Sequence, residues 1–169
     1  MHTLDAPHCE YWRHLKLPAQ TDANAIIAPS FNEDTPMSFS MYEASVPVFT
    51  QILNSLAAII DKAEAHEKNI EPAALLQARL YPDMFPFARQ VQVAADFAKG
   101  CSARLAGVEV PRYEDTEKSF ADLRERIAKT LAFINDLPRD AIEASAQRDI
   151  VTGSGATARE FKGQVYLVH

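Results

Sequence analysis

Cysteine and glycine are scarce in this chain, and no long apolar run occurs anywhere in it. The two cysteines among 169 residues, Cys9 and Cys101, stand far apart and outside any metal-like pairing. That excludes a disulfide framework and fits a reducing compartment. The five glycines form neither a phosphate-cradling loop nor a dinucleotide fingerprint, and no serine or cysteine elbow occurs. No apolar stretch approaches the roughly 18 residues of a membrane span, and residues 1–14 lack the continuous apolar core of a signal peptide. Blocks of one charge sign are missing too. The 23 acids and 17 bases are interspersed, which leaves no nucleic-acid footprint. The net charge of −6 serves solubility. These absences predict a cytoplasmic protein that engages neither nucleic acid nor membrane.

What the chain does have is helical periodicity, confined to part of its length. Residues 1–36 hold Pro7, Pro18, Pro29 and Pro36, three of the five histidines and the only tryptophan, Trp12, with no sustained period. They read as an irregular, mobile N-terminal extension. Its His8, Cys9 and His14 are metal-ligand types at a spacing that matches no standard site. Residues 37–169 are long enough for one domain with a real core.

Ser40 to Glu43 fits a capping box, opening a helix that runs to about His66. Its stripe is Ser45, Phe49, Ile52, Leu56, Ile59, Ala63 and His66, a four-three spacing widened by Val48, Leu53 and Ile60. Pro47 inside it predicts a kink. Asn69 to Arg79 reads as a connector with a short helix starting at Pro72. A second long helix follows Tyr81-Pro82, with Asp83 as its cap. Its stripe is Met84, Phe87, Val91, Ala94, Ala98, Cys101 and Leu105, flanked by the small residues Ala88, Ala95 and Ser102, and Gly107 ends it. A loop with Pro111 leads to Thr116, a candidate cap for a third helix with the stripe Phe120, Leu123, Ile127, Leu131, Ile134. There Glu117, Asp122, Arg124, Glu125, Arg126 and Lys129 read as a solvated face. Residues 148–152 and 157–162, joined through Gly153-Ser154-Gly155, predict a short β-hairpin. Phe161 to His169 reads as an element just beginning. The fold class is all-α: an antiparallel up-down helical bundle of three long helices, with a β-hairpin near the C-terminus.

The run Ala78-Arg79-Leu80-Tyr81-Pro82-Asp83-Met84-Phe85-Pro86 is followed by Arg89-Gln90-Val91-Gln92, Ala98-Lys99-Gly100 and Arg104-Leu105-Ala106-Gly107-Val108-Glu109. Together they resemble a bacterial and fungal domain of unknown function grouped with the DinB/YfiT-like four-helix bundles. Met37 to His169 fits that pattern, including Phe161-Lys162-Gly163 and Tyr166-Leu167. The resemblance implies a four-helix-bundle fold. Its members continue past the position of His169 into a fourth helix carrying aromatic residues and histidines. The expectation is therefore a DinB-like domain with the fourth helix missing, incomplete at its C-terminus. Many DinB-like proteins hold a metal with three histidines, partly on that last helix, so none of those ligands carries over.

Alternating helix directions would bring the end of helix 1, the start of helix 2 and the chain's tail together. His66, Asp83 and His169 would then converge, and two imidazoles with a carboxylate suit a divalent metal with open positions. The plainer alternatives are a histidine cation on a helix C-terminus for His66 and an ordinary cap for Asp83. A polar line of Asp83, Gln90 and Arg104, with Phe97 between, makes Asp83 and Gln90 candidate ligand contacts. Cys101 reads as a small buried hydrophobe. The function expected is a small-molecule-binding or self-associating module, a homo-oligomer if a second copy covers the apolar surface. The alternatives are a DinB-like metal-dependent hydrolase or thiol transferase, and a truncated gene product without function. The cofactor is left open, with a divalent metal the one candidate.

Overall fold

The computed structural model describes residues 39–66, 71–153 and 155–169. The N-terminal extension, with Trp12, His8, Cys9 and His14, lies outside the described residues, and everything below concerns the unit Ser38–His169. The fold is mainly helical: α1 (Val46–His66), α2 (Pro72–Gln77), α3 (Phe87–Ala106), α4 (Phe120–Asn135) and α5 (Arg139–Glu143). A 3-10 turn, Ala144–Gln147, then leads to β1 (Asp149–Thr152), β2 (Arg159–Lys162) and α6 (Gly163–Val168).

The start of α1 differs from the expected capping box. The Ser40 hydroxyl accepts the Glu43 N–H at 3.1 Å, but Glu43 turns outward to Arg139 at 2.6 Å. Glu143 of α5 instead accepts the Ser40 hydroxyl at 2.9 Å and the Tyr42 N–H at 3.0 Å. α1 proper opens at Val46, so Pro47 falls in the first turn, where a missing N–H leaves no bond unmade. The expected kink has no cause here.

α3 opens at Phe87, with Pro86 as its cap residue. Proline holds the preceding Phe85 out of the helical region, so the helix cannot reach back to Asp83. Asp83 sits in the turn before it and is not a cap. At the other end Gly107 takes φ 74°, and the Val108 N–H closes on the Ala103 carbonyl at 3.0 Å, the left-handed stop that glycine favours. α4 is capped by Ser119 and not by Thr116. The Ser119 hydroxyl accepts the Asp122 N–H at 3.1 Å, while Asp122 accepts the Ser119 N–H at 3.0 Å.

α1, α3 and α4 pack on one another. Their meeting faces supply Leu53, Ile60, Val91, Ala98, Leu105, Phe120, Leu123, Ile127 and Ile134, all buried. The small flank of α3 lies inside this core, with Ala95 and Ser102 wholly buried, and lets the helices approach closely. Directions follow from specific contacts. Arg124, early in α4, bonds Glu64 at the end of α1, so these two helices run oppositely. The Phe87 and Phe120 rings, each at the first residue of its helix, lie 6.4 Å apart, so α3 and α4 run the same way. The simple up-down-up alternation therefore does not hold. The twelve residues 108–119 can span about 40 Å extended, whereas α3, with 20 residues, is about 30 Å long. The connector travels back the whole length of α3 before α4 begins.

The hairpin forms where it was expected, antiparallel with Asp149 opposite Lys162 and Ile150 opposite Phe161. The Gly163 N–H bonds the Arg148 carbonyl at 2.9 Å, which places α6 beside the start of β1.

Candidate functional site

A trough opens where α1, α2 and α3 meet. One part, about 280 Å3, is walled by Ala63, Leu75, Ala78, Arg79, Leu80, Phe87 and Gln90. It adjoins a groove of about 430 Å3 between α1 and α3, to which Ile52, Leu56, Ile59, Val91 and Ala94 contribute. Phe87 and Gln90 belong to both. The wall is firm because the turn before α3 ties itself together. The Phe87 N–H bonds the Ala78 carbonyl at 2.9 Å, and Arg79 donates to the Met84 carbonyl at 2.6 Å. Gln90 donates to the Phe85 carbonyl at 2.8 Å. That bond fixes the amide's orientation and leaves its side-chain carbonyl oxygen without a donor among the described residues.

Of the residues singled out in the sequence, Gln90 is in this trough and Asp83 is not. Asp83 is exposed in the turn. His66 is exposed at the last residue of α1, one turn beyond Ala63. His169 lies elsewhere, its ring 5.3 Å from that of Phe161 in the hairpin. The hairpin end adjoins the finish of α3, since Arg104 bonds Tyr166 of α6, whereas His66 is at the end where α3 starts. The structure thus does not bring His66, Asp83 and His169 together, because the parallel course of α3 and α4 sends the tail to the opposite end. Among the described residues no three His, Cys, Asp or Glu side chains are gathered as a metal would need. No helix among the described residues is long and apolar enough to cross a membrane.

Residues 41–169 match the model of a family described as "Domain of unknown function (DUF1993)". The chain belongs to this family. A solved structure places it in the wider DinB-like group: the crystal structure of a DinB family member from Shewanella denitrificans superposes with a TM-score of 0.70 at 32% identity, over 76% of this chain and 74% of that one. No curated protein matches the chain.

This DUF1993 domain also holds a feature that sequence reading missed. Arg126, assigned above to a solvated face, is buried. Its guanidinium meets Glu117 at 2.7 Å and Asp96 and Asp115 at 3.0 Å each, plus the Glu114 carbonyl at 3.1 Å. Lys99, also buried, pairs with Asp96 at 2.8 Å and sits 3.8 Å from the Tyr113 ring centroid. Gln92 donates to Glu117 at 2.8 Å, and Arg89 pairs with Asp115. The signal was there: Gln92, Ala95, Lys99, Ser102 and Ala106 follow a three-four spacing, as do Leu123, Arg126 and Thr130. The depression beside this seam, about 510 Å3, is lined by charges of both signs. Several are already engaged: Glu117 by Arg126, and Asp122 by its own helix cap.

Proposed function

We propose that this DUF1993 domain is a helical-bundle binding module that takes a small, mostly apolar molecule in the trough between α1, α2 and α3. The observation that carries this reading is the shared position of Gln90, an oriented amide in mostly apolar walls whose other polar members are Arg79, Gln51 and Ser55. A few placed polar groups in an otherwise apolar concavity is the usual make-up of a small-molecule site. In this reading Phe87 and Leu75 bury the body of the ligand, and the Gln90 carbonyl accepts one hydrogen bond. Asp83 stands at the approach and makes no direct contact.

The test uses N-phenyl-1-naphthylamine, a neutral fluorescent probe. Saturable enhancement is expected with the full chain. Ala63→Phe, which fills the floor, and Leu80→Glu, which places a charge on an exposed wall, are each expected to weaken binding at least tenfold, about 1.4 kcal/mol. Leu80 is 87% exposed, so its substitution leaves the fold intact. Unchanged probe affinity in both variants refutes the reading.

Self-association is a second reading, favoured by Ile52 and Ile59, which lie along the groove and are 55% and 51% exposed. Open apolar side chains in a row favour a covering partner, and a second copy supplies one. Sedimentation of the wild type against Ile52→Glu/Ile59→Glu separates the readings: a concentration-dependent dimer abolished by the double variant supports this one. The DinB-like metal-dependent hydrolase or transferase reading needs a donor set that the described residues do not gather, and elemental analysis of purified protein tests it directly.

A further inference from the structure

Val93, Phe97, Gly100 and Arg104 lie at four-three-four spacing along α3, Phe97 exposed, Val93 and Arg104 half-buried and Gly100 buried. Above the end of α3 sit Tyr166 of α6 and Thr152 of β1. Val93, Asp96, Phe97, Arg104, Thr152 and Tyr166 line a cleft of about 380 Å3, separate from the trough. Long helical side chains fold back toward the N-terminus of their helix, and Arg104 does so over Gly100. A methyl group on Gly100 would come within 2.7 Å of the Arg104 Nη1, so the guanidinium lies in space that only glycine leaves empty. Among the described residues its hydrogen bond is to the Tyr166 hydroxyl, at 3.2 Å.

The charge balance of this cleft is incomplete. Asp96, its one carboxylate, is engaged by both Lys99 at 2.8 Å and Arg126 at 3.0 Å. Tyr166 is a neutral phenol, since burial pushes its ionisation up. The neighbouring Cys101 thiol is likewise pushed up by burial, to about 11, and stays protonated. The His169 ring lies 5.3 Å from that of Phe161, which lies 6.2 Å from that of Tyr166, and His169 does not line the cleft. Among the described residues, then, no carboxylate pairs with Arg104. The rest of the lining is Val93, Phe97 and Thr152, and Phe97 is 73% exposed, a large aromatic surface that the described residues leave open.

We infer that this cleft binds a small organic carboxylate with an apolar body, the Arg104 guanidinium holding the carboxylate and Phe97 and Val93 the body. The guanidinium fork matches a carboxylate in two-bond geometry. A doubly charged phosphate suits the cleft less, because one cation faces it and Asp96 stands on its wall. Neither the family assignment nor the trough bears on this site, and its test is independent of both.

The probe is 1-naphthoate, with the neutral 1-naphthylmethanol as its control, titrated calorimetrically into the full chain. Wild type is expected to bind naphthoate in a salt-sensitive manner and more tightly than the alcohol. Arg104→Gln is expected to weaken naphthoate at least tenfold while leaving the alcohol unchanged. Arg104→Lys restores charge without the fork and falls between. Gly100→Ala, which displaces the guanidinium without touching the cleft's surface, weakens naphthoate alone, while Leu80→Glu in the trough leaves it unaffected. The inference is overturned if wild type gives no binding at millimolar naphthoate, or if Arg104→Gln, melting as wild type does, binds it undiminished. Loss of naphthoate binding in Leu80→Glu and not in Gly100→Ala would equally overturn it, by placing the ligand in the trough.

Discussion

Along one flank of α3 lie Gln92 and Lys99, facing Arg126 of α4, all buried and each engaged by a carboxylate or a ring. Elsewhere lie Phe97, on the cleft beside α6, and Ile52 and Ile59 of α1, on the groove between α1 and α3, all apolar and more than half exposed. The flank is polar and closed; the other surfaces are apolar and open. The connector accounts for the difference. Its retracing path brings Tyr113, Asp115 and Glu117 against the closed flank, and no described segment does the same for the open surfaces. A buried cation persists only where oxygens surround it, so the closed flank is held together by its partners. The open surfaces keep their shape without any, which is what a binding surface requires.

Removing the central cation gives the sharpest break in that comparison. Arg126→Ala leaves Asp96, Asp115 and Glu117 facing one another without their shared partner, and breaking a buried pair in this way costs about 3–5 kcal/mol. Urea unfolding is the measurement. A loss below about 1 kcal/mol would mean that surface-like screening governs the seam.

Next in size is a matched pair of truncations. Ile134→Ala, at a wholly buried position, is expected to cost about 2–5 kcal/mol. Ile52→Ala on the open groove should stay within about 0.5 kcal/mol. Equal losses at the two sites would show that the groove is covered in solution.

The smallest effect is one of pH. Burial alone would raise the Glu117 carboxyl, but hydrogen bonds, led by that from Arg126, together outweigh it and hold the group below its ordinary 4.5. A carboxyl whose folded value lies below its unfolded one adds stability above the unfolded value, and that contribution fades as pH falls through the folded one. Glu117→Gln should therefore flatten the decline in stability below about pH 4.5 while changing its slope little at neutral pH. An identical acid limb in variant and wild type would remove Glu117 from the account of acid sensitivity.

Much of the fold was legible in local patterns. The stripes of α3 and α4, Pro72 at the start of α2, Gly107 at the end of α3 and the hairpin about Gly153 follow from periodicity or from a single residue's backbone preference. On α1, by contrast, the buried face is shifted by one residue: Leu53 and Ile60, read as the margin of the stripe, are buried, and Ile52, Ile59 and His66 are exposed. Caps were less legible. Asp83, Ser119 and Thr116 are all competent by chemistry, and the choice fell to neighbours: Pro86 ruled out Asp83, and Asp122 three residues on favoured Ser119. Helix direction was not legible. A twelve-residue connector permits either course, and only the charges it meets along α3 select one. That choice separated His66 from His169. Gln90 was singled out as part of a polar line beside the apolar stripe of α3, and it lies in the trough wall. Arg126 was missed because a charged residue among charged residues reads as solvated, whatever its register with Leu123 and Thr130.

The retracing connector also sets an order of events during folding. Two helices joined by a short turn can meet almost at once, but parallel neighbours cannot. Asp96 and Arg126 are 30 residues apart in sequence, and the contacts of α3 with α4 wait on closure of that loop. Non-local pairing of this kind slows folding relative to an alternating helical hairpin of the same size. α1 and α4 are further apart still, with Glu64 and Arg124 separated by 60 residues. The slow step expected of this small helical domain is closure of the chain that its charged seam spans, and substitutions in the connector should alter its folding rate more than substitutions in the open groove.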